Sequence, residues 1–293
     1  MASIELNHQV LPTSPTSAID SLSNSQSTHR IALGIEYDGA AFHGWQRQAD
    51  PALPTVQAAL ESAIAGIAAH PISLVCAGRT DTGVHATGQV VHFECQTDRG
   101  EKAWLRGTNS LLPPAVRVRW AKAVGPDFHA RFSAQSRRYH YVICDSPVEP
   151  AIMARQLTHT RLQLDIDAMH EAGQFLLGEN DFSAFRAAGC QSRSPFRNVM
   201  HLQVIRHHRF IVLDIEANAF LQHMVRNIAG VLMEVGAGRQ PPQWARQVLE
   251  GRDRKLAAVT ASPCGLYLVA VRYPDECGLP QEVLGPGFLQ PFA

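Results

Sequence analysis

Residues 76–94 read CAGRTDTGVHATGQVVHFE, and the rest of the chain is organised around them. The apolar run 72–76 (ISLVC) leads in and the run 89–95 (QVVHFEC) leads out, so two strands flank a turn. Inside the turn, Gly78, Gly83 and Gly88 let the backbone bend sharply and approach a ligand. They enclose one carboxylate, Asp81, with Arg79 and Thr80 before it and His85 after it. A carboxylate two residues from a guanidinium is kept ionised, which suits catalysis. The same spacing also describes an ordinary loop ion pair, worth little in water, and spacing alone leaves both readings open.

Working outward, residues 31–37 (IALGIEY) alternate as a strand that runs into the Gly-containing segment 37–48 (YDGAAFHGWQRQ). Val56, Leu60, Ile64 and Ile67 recur at helical spacing, with Thr55 as N-cap. A short helix over 104–111 ends at Pro113-Pro114. Val116, Val118 and Trp120 then alternate with Arg117 and Arg119, a strand with one wet, basic face. The second half repeats this grammar. Residues 138–144 (RYHYVIC) form a strand, Met169, Ala172, Phe175 and Leu176 mark a helix that stops before Gly178, and 200–205 with 210–217 form a hairpin around His207-His208. Leu221, Val225, Ile228, Leu232 and Val235 make one apolar helical stripe ended by Gly236 and Gly238, followed by a helix over 244–249 and a closing strand over 266–273.

Two similar orders of strands and helices predict an α+β protein with two related α/β-sandwich-like halves, mainly antiparallel sheets flanked by helices, and a central basic active-site cleft between them. The halves are residues 30–130, carrying the Asp81 loop, and residues 131–275. A disordered tail rich in Ser, Thr, Asn and Gln is expected over 1–29, and a second tail over 276–293. Arg226 follows Val225, about 100° round the helix from the stripe. Its guanidinium is either solvated above a packed stem or pointed into the cleft toward an anion.

The chain is formally neutral, with 26 basic and 26 acidic residues, so its overall field does not draw a polyanion. The distribution differs: residues 102–144 hold eight Lys or Arg against Asp127 alone, and residues 182–213 hold Arg186, Arg193, Arg197, Arg206 and Arg209 with no acid. Sharing one face, these stretches would form a phosphate-binding surface. No long apolar run predicts a membrane span, and the start does not read as a secretory signal. Six scattered cysteines with no Cys-x-x-Cys pair predict reduced thiols and no metal site.

P-loop, dinucleotide, zinc-protease and nucleophile-elbow motifs do not occur. What remains is one carboxylate in a tight loop, which can act as a nucleophile or stabilise positive charge at a sugar carbon. Ordinary glycoside hydrolysis takes two carboxylates, and this loop offers one. A bond to uracil can break without the second acid, because uracil departs as a fairly stable anion, and a base retained in the pocket can be recaptured through carbon.

GRTDTGVHATGQVVHF (residues 78–93) resembles the active-site motif of the TruA-type tRNA pseudouridine synthases. The likeness extends to YDGAAFHGWQRQ (37–48), DFHARFSAQSRRYHY (127–141) and NAFLQHMVRNIAGVLMEVG (218–236), in family order from about Arg30 to Pro274. The resemblance implies an enzyme that isomerises uridine to pseudouridine at nucleotides 38 to 40 of the tRNA anticodon stem and loop. It would work without metal or organic cofactor, as a cytoplasmic homodimer with no membrane or DNA partner. By the same resemblance, Asp81 matches the catalytic aspartate, Tyr139 a tyrosine that stacks on the target base, and Arg226 the arginine that pairs with the carboxylate. Arg79 falls in the same motif, where it extrudes the target nucleotide or holds its phosphate. Thr80, His85, Arg186, Arg193 and Arg197 are the further candidates for RNA contact. The competing readings are a catalytically silent RNA-binding protein on the same scaffold and a hydrolase that releases free base.

Overall fold

The N-terminal half is laid around β1 (His29–Tyr37), which buries Ile31, Ala32, Leu33 and Ile35 almost in succession because both of its faces are covered. The computed structural model describes residues 28–48, 53–280 and 285–289. The expected tail over 1–29 therefore lies outside the described residues apart from Thr28 and His29, and that over 276–293 is described only in part.

α1 (Val56–Ala68) forms as its spacing predicts. The Thr55 hydroxyl accepts from Ala58 N at 3.3 Å, and Ala69 stops the helix in a left-handed conformation. Leu60 and Ile64 are fully buried, each contributing about 2 kcal/mol by leaving water. β2 is short (Val75–Cys76), and after the Asp81 loop β3 (His85–Cys95) begins at His85 rather than at Gln89. A π-helical turn (Ala103–Gly107) runs into α2 (Thr108–Leu111), followed by β4 (Val116–Val124), whose Arg117 and Arg119 face solvent.

The second half contains β5 (Ser136–Asp145), β6 (Thr158–Thr160), α3 (Ile166–Gln174), β7 (Gly178–Asp181), β8 (Phe196–His207) and β9 (Phe210–Ala217). It closes with α4 (Met224–Gly236), α5 (Trp244–Gly251) and β10 (Leu266–Arg272). Neither β6 nor β7 is predicted, because Thr-His-Thr and Gly-Glu-Asn-Asp carry no apolar alternation. α4 starts after Leu221 because His223 adopts a left-handed conformation, φ 62°, that breaks the stripe.

One sheet crosses the whole molecule in the order β4-β1-β3-β10-β5-β9-β8-β7, with β2 on β3 and β6 on β5. Among the described residues only β3–β10 and β5–β6 are parallel. The early start of β3 has its cause here: His85 and Ala86 pair with Tyr267 and Leu268 of β10, a partner invisible to any local pattern. Gly88 permits this seam, since a Cβ there would lie 2.2 Å from Val269 O. The result is the predicted α+β architecture, a mixed, mostly antiparallel sheet flanked by five helices among the described residues. No helix among the described residues is long and apolar enough to cross a membrane.

Candidate active site

The Asp81 loop links β2 to β3 beside the seam, and its backbone is held on three sides. Trp45 N donates to Thr80 O at 3.0 Å, Val84 N donates to Asp81 O at 3.1 Å, and the Tyr37 and Thr80 hydroxyls share a buried hydrogen bond of 2.8 Å. Gly44, at φ 87°, packs under the loop so closely that a Cβ would stand 3.1 Å from Thr80 O and 3.2 Å from Thr82 N. A side chain there would be strained twice, by conformation and by contact.

From the other half, Arg226 of α4 and His223, the residue just before that helix, reach the same carboxylate oxygen. Arg226 Nη1 lies 3.3 Å from Asp81 Oδ2, and His223 Nε2 lies 3.4 Å from it. Arg226 is aimed by its Nε, which donates to Ala261 O at 2.8 Å, while Ala261 N donates back to Arg226 O at 3.2 Å. The guanidinium therefore points into the cleft, and the solvated reading of Arg226 falls away. Asp81 remains 33% exposed, and its Oδ1 has no partner among the described residues. Arg79 is exposed along the cleft and makes no ion pair with Asp81 among the described residues.

Tyr139 of β5 forms part of the opposite wall, edge-on to Phe220 with ring centroids 5.0 Å apart. Burial pushes its phenol well above the ordinary value; nearby Arg137 pulls it down and the charge of Asp81 pushes it further up. The phenol is therefore neutral near pH 7. Arg137 is a brace: buried, it donates to Ala77 O (3.0 Å), Arg131 O (2.6 Å), Ala134 O (3.2 Å) and Asn218 O (3.0 Å), joining three walls of the cleft through carbonyls alone.

The cleft encloses about 1480 Å³ and is lined by Arg47, Arg79, Arg131, Arg137, Arg197 and Arg226, with Asp81 as the one lining carboxylate among the described residues. It exceeds the ~300–1,000 Å³ of small-molecule pockets, and its charge suits a polyanion. The remaining candidates divide. Thr80 anchors the loop. His85 is buried behind the wall: Nδ1 accepts from Gly39 N and lies 3.1 Å from Asp38 Oδ1, Nε2 lies 3.1 Å from Arg155 O, and the ring stacks on Tyr267. The neighbouring His85 ring, with the Ala40 N–H, holds the Asp38 carboxyl down at about 2, against the opposing effect of burial.

Arg186 donates to Cys190 O and Ser192 O, both at 2.7 Å, and so shapes the rim. Arg197 lines the cleft and holds Ser192 Oγ at 2.7 Å, whereas Arg193 is exposed outside the lining. Arg206, from the same basic stretch, is paired with Asp145 elsewhere. The basic segments thus meet only in part at the cleft. His223, Phe220 and Arg137 escape the sequence reading.

Comparison with known proteins agrees with this geometry. The family model described as tRNA pseudouridine synthase matches residues 34–133 and 172–274. The tRNA pseudouridine synthase A of Actinobacillus succinogenes is 59% identical over 260 residues, covering 89% of this chain and 98% of that protein. Those of Pectobacterium atrosepticum (56%, 91% of this chain and 93% of that protein) and Aliivibrio fischeri (58%, 89% and 98%) are similarly related. With a carboxylate held by α4 at the floor of a basic cleft and relatives matched over nearly their full length, the chain belongs to the tRNA pseudouridine synthase family, enzymes that isomerise uridine in tRNA.

Proposed function

We propose that the enzyme acts on nucleotides 38, 39 and 40 of the tRNA anticodon stem and loop, with Asp81 as the nucleophile or base of the reaction and the target uridine flipped into the cleft. The observation that carries this reading is the asymmetric hold on Asp81, with Oδ2 pinned by Arg226 and His223 and Oδ1 unpartnered among the described residues. A uridine stacked in a stem cannot be reached, so it must leave the stack at a cost of roughly a few kcal/mol. The cleft arginines offset that cost by gripping backbone phosphates, with Arg79, exposed beside Asp81, next to the extruded nucleotide.

The reaction balances without a co-reactant. The N1–C1′ bond breaks, uracil leaves with the electron pair and turns, and a C5–C1′ bond forms. C5 then gives up its proton and N1 gains one. Arg226 sets a fixed positive charge against Asp81 and orients its carboxylate for the attack, and Tyr139 offers a flat, neutral ring against which the freed base stacks. As a proton acceptor at C5, Tyr139 would have to lose its own proton first, which Arg137 favours and Asp81 opposes. We read residues 30–130 and 131–275 as the two halves that close on the RNA, and the working form as a cytoplasmic homodimer.

The test uses tRNA transcripts that carry uridine at only one of positions 38, 39 or 40, and a transcript with uridine only outside them. Pseudouridine forming in the first three and not in the last is expected. Conversion of the fourth at a comparable rate would overturn the positional assignment.

A further inference from the structure

Of the large apolar side chains left exposed among the described residues, Phe132 is the one that lines the cleft, and it is 76% exposed. An exposed phenylalanine alone is ordinary, but this one is held in place. His129 Nδ1 accepts from Arg131 N at 3.2 Å and from Phe132 N at 3.1 Å. Ser133 N donates to His129 O, and His129 N donates to Ser133 Oγ, both at 2.9 Å. Arg137 then ties Arg131 O to Ala77 O, the foot of the Asp81 loop. The turn is thus registered to the catalytic loop.

The Phe132 ring is stacked on the His129 imidazole, 4.3 Å between centroids and 27° between planes, and that imidazole packs edge-on against the buried His92. Arg131 is exposed, has no carboxylate partner among the described residues, and places its guanidinium carbon 5.6 Å from the Phe132 ring centroid. A rigid aromatic left in water beside an unpaired cation costs stability and contributes nothing to the core. For a single-stranded nucleotide it supplies both needed contacts, a face for the base and a charge for the phosphate.

We propose that Phe132, backed by His129, is a stacking platform for an unpaired nucleobase next to the flipped uridine, with Arg131 holding that nucleotide's phosphate. This rests on the reading that the RNA enters the cleft at Asp81. Flipping removes a stacking partner from each neighbouring base, and the platform replaces one of them. Because the turn is already braced, little ordering is required when the base arrives.

The test is made in full-length protein carrying Asp81→Asn, so that binding is measured without turnover, on unmodified tRNA and on an anticodon stem-loop with 2-aminopurine beside the target. Phe132→Leu keeps the apolar bulk and loses the π face, and it should weaken binding roughly 5- to 100-fold. Phe132→Trp should restore it. The 2-aminopurine fluorescence should be quenched on binding to the protein that keeps Phe132 and to the Phe132→Trp variant, and should stay bright with Phe132→Leu. Arg131→Gln should lower the salt dependence of binding by about one counterion.

Equal affinity and equal quenching for Phe132→Leu would overturn the platform. So would a changed oligomeric mass in that variant, which would make Phe132 a subunit contact. Turnover by the Asp81→Asn parent would instead overturn the reading of the site on which the platform rests, so the two failures are distinguishable.

Discussion

On β9, Asp214 receives Arg138 as a fork: Nε donates to Oδ1 at 2.7 Å and Nη2 to Oδ2, with His201 3.3 Å and His140 3.6 Å from its oxygens. At the cleft, Asp81 receives from Arg226 a single Nη1 at 3.3 Å, while the Nε of Arg226 donates to Ala261 O. The same two residue types therefore make opposite devices. The fork saturates both oxygens of a carboxylate that is 10% exposed, whereas the cleft pair leaves one oxygen of a 33% exposed carboxylate without a partner. Burial opposes ionisation of Asp214, but the Arg138 hydrogen bond and the neighbouring histidines outweigh it, so its carboxyl titrates below its ordinary value. A saturated pair stabilises the fold; a half-free one can do chemistry.

Exchanging each carboxylate for its amide should separate the two roles. Asp81→Asn should lower turnover by at least roughly 10⁴-fold, the range seen when a central catalytic group is lost, with tRNA binding and the unfolding midpoint near wild type. Steady-state kinetics beside urea denaturation checks both halves of that statement. Asp214→Asn should do the reverse, costing about 3 kcal/mol because Arg138 is left without its partner, while turnover per folded molecule holds.

The Asp214 effect has a definite pH signature. Its folded pKa lies below the ordinary 3.8, so the stability it contributes is fully present above that value and is lost as pH falls through the lower folded one. Melting curves through this acid range should show a steeper loss for wild type than for Asp214→Asn. Parallel curves would remove Asp214 from the account of acid stability.

Arg226→Lys sharpens the cleft side of the comparison. Lys keeps the charge but lacks the planar group whose separate nitrogens hold Ala261 O and Asp81 in fixed geometry, and turnover should fall by roughly 10²-fold with little change in KM. The smallest effect expected is that of Gly44→Ala. It forces an L side chain to φ 87° against Thr80 O, costing roughly 1–2 kcal/mol. It should lower kcat more than it raises KM, because the displaced backbone carries Asp81 and not the arginines of the rim.

Much of this architecture is legible in the chain because its signals are local. Thr55 caps α1, and the runs 31–37 and 116–120 mark β1 and β4, with Arg117 and Arg119 on the wet face of β4. What is not legible depends on partners distant in sequence. β3 begins at His85 because Tyr267 and Leu268 of β10, and Tyr37 of β1, pair with its first residues, and β7 is a strand only because β8 lies beside it. The site divides in the same way. Asp81 stands out in its glycine loop, but its charge partner comes from a residue 145 positions away, and Arg79, two residues off, is the choice that spacing would make. His85 looks like a site residue in the motif, yet its ring is enclosed by Asp38, Gly39, Arg155 and Tyr267. A motif residue can matter by holding the frame on which the reacting group sits.

The central claim is that the half-free carboxylate of Asp81 drives the exchange of N1–C1′ for C5–C1′. Its most direct test is tritium release from tRNA labelled at uracil C5, measured for wild type and for Asp81→Asn at equal bound tRNA. Wild type should release tritium to water without freeing uracil, and Asp81→Asn should bind the RNA and release none. Tritium release by Asp81→Asn at a rate near that of wild type would contradict the account.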